Sequence, residues 1–356
     1  MSPPVRARRP DREHLRGGSR ARVGAGDRLD LRAHGPEPGD RLLEHGGIEA
    51  TPPCPPRFAP GGRTVSTSAV VHVLVSGLAT GSIYALMALS LVIIYNATRT
   101  LNFAQGEMLM VSTFAGWAAQ RAFGLPLGVT LVVAVLAGGL LAFLVERLLI
   151  RRAIGATHWD VLIITVGLSL VLRAGAGLAW THDEFPFPSF FPNRPITVGP
   201  VRLAPVSLGI IGGSLALMLV LYAVFAWTRL GRAMRAVAQN QRAARLMGIS
   251  VERVYSAAWV LAAMVGAIAG VLVAPVIFLS TRMGLVVING FTAAVLGGFG
   301  SMPGAVVGGM LLGVLENLAP LYLPSGIRYS VPFLALIAIL LVRPAGLLGR
   351  VERRKV

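Results

Sequence analysis

Asn102, Gln105 and Glu107 are polar residues in a strongly apolar region, grouped in LNFAQGE at residues 101–107. Burying an ionisable side chain in hydrocarbon costs at least about 2.5 kcal/mol. Two readings of Glu107 follow. It can join Asn102 and Gln105 as the polar lining of a pathway or gate. Alternatively it is a helix-start carboxylate favoured by the macrodipole, or a paired structural charge. Glu316, beside Asn317, poses the same question and could sit at an interface end of its helix.

A second chemistry-bearing stretch is RLGRAMRAVAQNQRAARLMGISVER, residues 229–253, between two apolar runs. On a helical wheel Arg232, Arg235, Arg242 and Arg245 gather on one side and Ala233, Val237, Ala244 and Met247 on another. This pattern predicts a short amphipathic helix ended by Gly248. Such a helix can lie on lipid, dock on a partner, or fix topology by its arginines.

Catalysis finds no constellation. The six histidines are scattered, with no HExxH pair and no nucleophile elbow. Lys355 is the sole lysine and lies in the terminal RVERRKV, so a GxxxxGK[ST] nucleotide loop is impossible. GGFGS at residues 297–301 has no following lysine and apolar flanks, which argues against a phosphate loop. Cys54 is the only cysteine, which excludes an internal disulfide or a cysteine-rich metal site. The expectation is a non-enzyme with no cofactor or metal of its own, which would draw on ATP only through another chain.

These residues are positioned by membrane-spanning elements. The 356 residues are 54% hydrophobic and 14% charged, with mean hydropathy +0.68, the composition of a polytopic membrane protein. The net charge of +17 comes from arginines beside or between apolar runs, a topology signal and not a nucleic-acid surface. Residues 1–64 are rich in Arg, Pro and Gly without an apolar stretch and are expected to be a disordered tail. Apolar runs follow at 69–95, 109–119, 125–150, 161–180, 206–227, 254–278, 291–323 and 329–342. The run at 109–119 is short and spans only if Gln105, Gly106 and Glu107 enter with it. The run at 291–323 is broken by glycines and Pro303. Two helical pieces meeting at membrane depth there would make Gly297, Gly298, Gly300 and Pro303 candidate pathway-lining residues, while close helix packing explains the glycines equally well. Positive-inside parity puts Arg151, residues 229–253 and the basic tail 351–356 on the cytoplasmic side, and the Pro- and Phe-rich segment 181–205 outside. Upstream of Arg151 this parity conflicts with the arginines of the tail, which a broken helix near 102–107 or an absent tail would relieve.

Several stretches together resemble one family. LNFAQGE at 101–107, the GRAMRA start and AARLMGI end of the basic segment, FTAAVLGGFGSMPGA at 291–305 and RPAGLLGR at 343–350 occur in the order and spacing of the membrane subunit of branched-chain amino acid ABC importers, the Liv-type H permease. The likeness covers residues 70–350, with Gln105 where that subunit frequently has His. It implies an all-α integral membrane protein of about eight transmembrane segments, some broken or re-entrant, in a bacterial inner or plasma membrane with its C-terminus cytoplasmic. It also implies a permease domain over residues 65–350 that pairs with a second related permease. The implied partners are two ATPase subunits holding ATP and Mg, an extracytoplasmic substrate-binding protein, and membrane lipid; nucleic acid is not among them. The cargo would be leucine, isoleucine or valine. In such importers a cytoplasmic EAA-xxx-G pattern grips the ATPase; Arg242, Ala243, Ala244 and Gly248 fall on it, with Arg at the acidic position, and Arg235, seven residues earlier, is expected to join them. Two alternatives stay open: the same importer class carrying urea, short amides or other amino acids, and a secondary transporter or channel that works without ATP.

The unlike composition of residues 1–64 also fits a start site placed too early, with translation beginning near Val65. Intact-mass measurement of the natively expressed protein is expected to show a species lacking the first sixty residues; a species that includes them overturns this.

Overall fold

The computed structural model describes residues 67–153, 158–191, 195–198, 201–323 and 325–349. The expected tail 1–64, Cys54, Lys355 and the tail 351–356 lie outside the described residues. The described residues fall within one compact unit, Arg63–Val356.

Helices dominate because long stretches carry no charge and no competing turn chemistry. They are α1 (Thr67–Thr98), α2 (Gln105–Phe123), α3 (Leu127–Val145), α4 (His158–Trp180), α5 (Pro205–Trp227), α6 (Arg229–Gln239), α7 (Gln241–Leu246), α8 (Val251–Ile277), α9 (Val286–Gly297), α10 (Met302–Tyr322) and α11 (Val331–Val342). A π-helical turn, Glu146–Ile150, and a 3-10 turn, Arg151–Ala153, extend α3. Six of these helices are long and apolar enough to cross a membrane, and two shorter apolar helices lie at Met283–Gly297 and Ile327–Val342. The chain is therefore an all-α, multi-pass membrane protein. Its described β structure is a two-stranded antiparallel ribbon, β1 (Ile196–Val198) and β2 (Val201–Leu203), with Ile196 opposite Leu203.

The bundle is built around α1. Of its apolar window 89% is buried, against 17% for α4 at the periphery. At 32 residues α1 is about 48 Å long. Its closest neighbour is α10, which runs antiparallel to it. Gly77 faces Val314 and Gly81 faces Gly309 and Met310, so close that a Cβ on Gly81 would stand 2.9 Å from the Gly309 carbonyl oxygen. Small residues on both helices let the backbones touch, which in lipid substitutes packing for the missing hydrophobic drive.

The structure relocates three expected features. The short run at 109–119 becomes part of α2, which starts at Gln105 and draws Gln105, Gly106 and Glu107 into the buried interior. The glycine and proline turn at 298–301 does separate two helices, α9 and α10, but beside the last turn of α1. There Asn96 Nδ2 donates to the Gly300 carbonyl at 3.1 Å and the rings of Tyr95 and Phe299 meet edge to face at 4.8 Å. The segments that lead from helix ends into the interior are instead residues 99–104 and 278–285, which follow α1 and α8 and bring Gly106 against Gly284. Finally, the single amphipathic helix expected over 229–253 is divided at Asn240, whose extended backbone and side-chain oxygen cap α7 by accepting from the amides of Arg242 and Ala243.

Gly313→Leu would drive a side chain into the backbone of Gly81. It is expected to destabilise the fold by at least about 2 kcal/mol. Gly128→Leu, whose Cβ meets open space, is expected to change little. Thermal unfolding of the detergent-solubilised protein followed by tryptophan fluorescence checks the contrast.

Candidate functional site

The two segments meet inside the bundle, at Gly106 and Gly284. The chain leaves α1 through Arg99 at φ 58° and climbs through 99–104 without helix. Asn102 organises this stretch: its Oδ1 accepts from the Ala104 amide at 3.0 Å and its Nδ2 donates to Gln105 Oε1 at 3.1 Å. Gln105 Nε2 then donates to the Ala262 carbonyl on α8 at 3.0 Å, and the Phe103 amide reaches Thr165 Oγ1 on α4 at 3.4 Å. Ala262 is 11 residues past the Val251 start of α8, about 17 Å along its axis. The second break begins at Phe278, φ 60°, after Pro275. Leu279 exchanges two backbone hydrogen bonds with Phe185 of the 181–191 loop, at 2.8 and 2.9 Å, and His182 Nδ1 lies 3.2 Å from Thr281 Oγ1. The chain then turns at Met283–Leu285, sets Gly284 against Gly106 and Glu107, and starts α9. Two helix N-termini, those of α2 and α9, thus open near one another deep in the bundle, and each carries partial positive charge.

Glu107 lies in the first turn of α2 and is 2% exposed. Arg173 of α4 donates from Nη2 to Glu107 Oε1. The helix-start and paired-charge readings of Glu107 are therefore both met in one residue. Sequence reasoning missed Arg173, although an arginine inside the apolar run 161–180 is itself a signal, since such a charge needs a partner. The pair is incompletely satisfied: Glu107 Oε2 and Arg173 Nε are buried with no hydrogen-bond partner among the described residues. Asn102 and Gln105 are buried with their amides engaged in holding the break. Beside them is an apolar cavity of about 90 Å³ lined by Leu91, Leu101, Phe103, Val287, Ile288 and Phe291, with Asn102 at its polar edge.

The structure gives the expected glycine and proline residues separate surroundings. Gly297 packs on Gly304, and Gly298, at φ 108°, faces Ala345 and Gly349 of the segment after α11. That segment is tied down by Leu347 and Leu348 amides donating to the Leu296 and Gly297 carbonyls, each at 2.9 Å. Gly300 and Pro303 instead border a cleft at this end of the bundle. One lobe, of about 580 Å³, is lined by Tyr95, Asn96, Arg99, Phe299, Gly300 and Ser301. Another, of about 500 Å³, reaches Pro303, Phe225 and Arg235.

Two further buried carboxylates also have arginine partners. Tyr84 donates its hydroxyl to Glu316 Oε2 at 2.7 Å, Asn289 Nδ2 donates to Tyr84 at 2.9 Å, and Arg328 Nε reaches Glu316 Oε1 at 3.4 Å. Glu146 accepts from Ser256 at 2.6 Å and from Arg151 Nε at 3.3 Å. Glu316 is thus a buried link between α1, α9 and α10.

The basic segment has an inner and an outer part. Helix α6 buries Gly231, Met234 and Val237, and Arg235 donates to the Phe225 carbonyl at the end of α5. Arg99 Nη2 donates to the Ala238 carbonyl at 3.1 Å. In α7, Ala244 is buried while Arg242, Ala243 and Arg245 are exposed. Only Ala243 of the alanine pair therefore offers a small outward face. Leu246 and Met247 are 89% and 82% exposed, and Gly248 ends the turn at φ 79° with open space around it.

A family model described as the permease component of the branched-chain amino acid transport system matches residues 73–342. The chain is 33% identical over 296 residues to the high-affinity branched-chain amino acid transport system permease protein LivH of Escherichia coli K12, covering 79% of this chain and 96% of that one. It is 31% identical to the corresponding permease protein BraD of Pseudomonas aeruginosa, covering 80% and 97%. Among solved structures, PsaBC from Streptococcus pneumoniae in complex with Fab is similar at a TM-score of 0.44 and 16% identity, covering 76% of this chain and 90% of that one, too slight a likeness to bear on the fold.

Tyr84→Phe would take the donated hydrogen bond from Glu316 Oε2 and the acceptor from Asn289. It is expected to destabilise the bundle by about 1–3 kcal/mol, read as a lowered unfolding midpoint in detergent.

Proposed function

Because the chain belongs to the family of branched-chain amino acid transport system permease components, we propose that it is the membrane-spanning subunit of an ABC importer for leucine, isoleucine and valine. ATP is hydrolysed on partner ATPase subunits, and this chain pairs with a second related permease and receives cargo from an extracytoplasmic binding protein. The cargo rests on the relatives' names, which specify branched-chain amino acid transport.

The observation that carries the coupling role is α7 with the turn after it. Between the two long apolar helices α5 and α8 the chain presents Arg242, Ala243, Leu246 and Met247 outward, on a platform that Ala244 anchors from beneath. Exposed apolar residues flanked by arginines suit a partner groove with an acidic rim. Through α6 this platform is tied to the ends of α1 and α5, so force applied at α7 reaches the central helix. The segment after α11 packs at the same end of the bundle, beside Gly298, which supports a C-terminus on the ATPase side. The lone Lys355 removes a nucleotide loop from this chain and leaves hydrolysis to the partners.

Leu246→Glu combined with Met247→Glu, and separately Gly248→Asp, are expected to reduce recovery of the ATPase subunits with tagged permease by about tenfold or more, with the permease's own unfolding midpoint unchanged. Cargo-stimulated ATP hydrolysis falls in step. Unchanged co-purification and unchanged stimulation by leucine overturn the coupling role. Failure of the reconstituted importer to take up any branched-chain amino acid overturns the cargo.

A further inference from the structure

The Glu107–Arg173 pair is a poor structural bridge but a well-matched receptor for a zwitterion. As a bridge it makes one contact, Nη2 to Oε1, where the Arg fork and the carboxylate could make two. It leaves Glu107 Oε2 and Arg173 Nε buried with no partner among the described residues. Leaving charged groups half-satisfied inside a bundle is costly, and removing the cost requires a further acceptor for the guanidinium and a further donor for the carboxylate. An α-amino acid carries both on one carbon: a carboxylate for Arg173 and an ammonium for Glu107.

Position supports the same assignment. Arg173 is 39% exposed along its side chain while Glu107 is 3% exposed, so the pair opens outward through the arginine on the face presented by α4. Its inner end lies against Gly284, where a Cβ would stand 2.9 Å from Glu107 Oε1, so the backbone at the start of α9 closes the back of the site. Val287 joins this site to the apolar cavity. It lies 2.9 Å from where a Cβ on Gly106 would stand, one residue from Glu107, and it lines the cavity with Phe103 and Ile288. A cavity of about 90 Å³ has room for about three waters, or for one short branched aliphatic group.

We propose that Arg173 and Glu107 are the recognition contact for the carboxylate and ammonium of the transported amino acid, whose aliphatic side chain enters the cavity lined by Val287 and Ile288. The inference rests on the permease reading above. The cargo exchanges the ion pair for its own two charges, so the pair holds the path shut when empty and gives way to a zwitterion. A lone amine or a lone carboxylic acid satisfies one partner and strands the other, which makes the contact selective for molecules bearing both.

The test uses the assembled importer in lipid nanodiscs, with Cys54→Ser removing the one native cysteine and Ile288→Cys placed in the cavity. Leucine is expected to slow maleimide labelling at this position by about tenfold, while isoamylamine, which lacks the carboxylate, and isocaproate, which lacks the amine, do not. In Glu107→Gln with Arg173→Gln the protection by leucine disappears and leucine uptake falls by about tenfold or more, and Arg173→Lys retains more uptake than Arg173→Gln. Equal protection by isoamylamine, or undiminished uptake in the double variant, overturns the proposal. If the double variant fails to assemble, the comparison of the three ligands on Ile288→Cys decides alone. Leucine uptake by the unaltered importer without any protection refutes this contact and spares the permease reading; absence of uptake refutes that reading first.

Discussion

A helix interrupted inside an apolar bundle leaves amides and carbonyls that hydrocarbon cannot satisfy, and this constraint organises the centre of the molecule. In the break at 99–104 the Ala104 amide is met by Asn102 and the Phe103 amide by Thr165, while Gln105 ties the start of α2 to the Ala262 carbonyl. The break at 278–285 is held at its outer end by Phe185, pairing as an isolated β-bridge with Leu279. Where the two approach each other they do so through glycines, Gly106 against Gly284, because nothing larger fits. Asn102 and Gln105 are buried where the backbone is broken and hold the break with their amides, and the helix that starts there carries Glu107 in its first turn.

Charge placement follows the same logic. The chain has 33 basic and 16 acidic residues, yet the buried carboxylates Glu107, Glu146 and Glu316 each meet an arginine. In Glu107 and Glu316 the arginine comes from a different element, α4 or the turn after α10, so the pairs join outer elements to the core. They differ in completeness. Glu316 also accepts from Tyr84 and Glu146 from Ser256, whereas Glu107 Oε2 has no partner among the described residues.

Much of this was legible in the sequence, for definable reasons. Uncharged runs of membrane length set the long helices, and LNFAQGE announced a break by putting three polar residues next to a run too short to span. What escaped was depth and partnership. The glycines and Pro303 of 297–304 marked a turn correctly, but hydropathy cannot say that the turn lies beside the end of α1, since that depends on which helix packs against it. FLSTRMGL, the segment after α8 that returns the chain to the interior at Gly284, has one glycine and an arginine and reads as an ordinary connector. Arg173 escaped because a single charge barely lowers the hydropathy of a 23-residue helix. Asn240 is of a type that caps helices, but the helical wheel through 229–253 ran across it because a wheel has no means of registering a cap.

The seam between α1 and α10 has a mechanical meaning. At Gly77, Gly81, Gly309 and Gly313 the two backbones are in direct contact, with no layer of side chains between them. Close-packed side chains follow a slide by changing rotamer, and at these four positions there are none to change. Over this stretch, closed further by Tyr84 of α1 donating to Glu316 of α10, the two backbones resist sliding past one another. Displacing one of these helices therefore carries the other with it where they touch, while Arg99, Phe278 and Asn240 mark where the backbone has already left the helix.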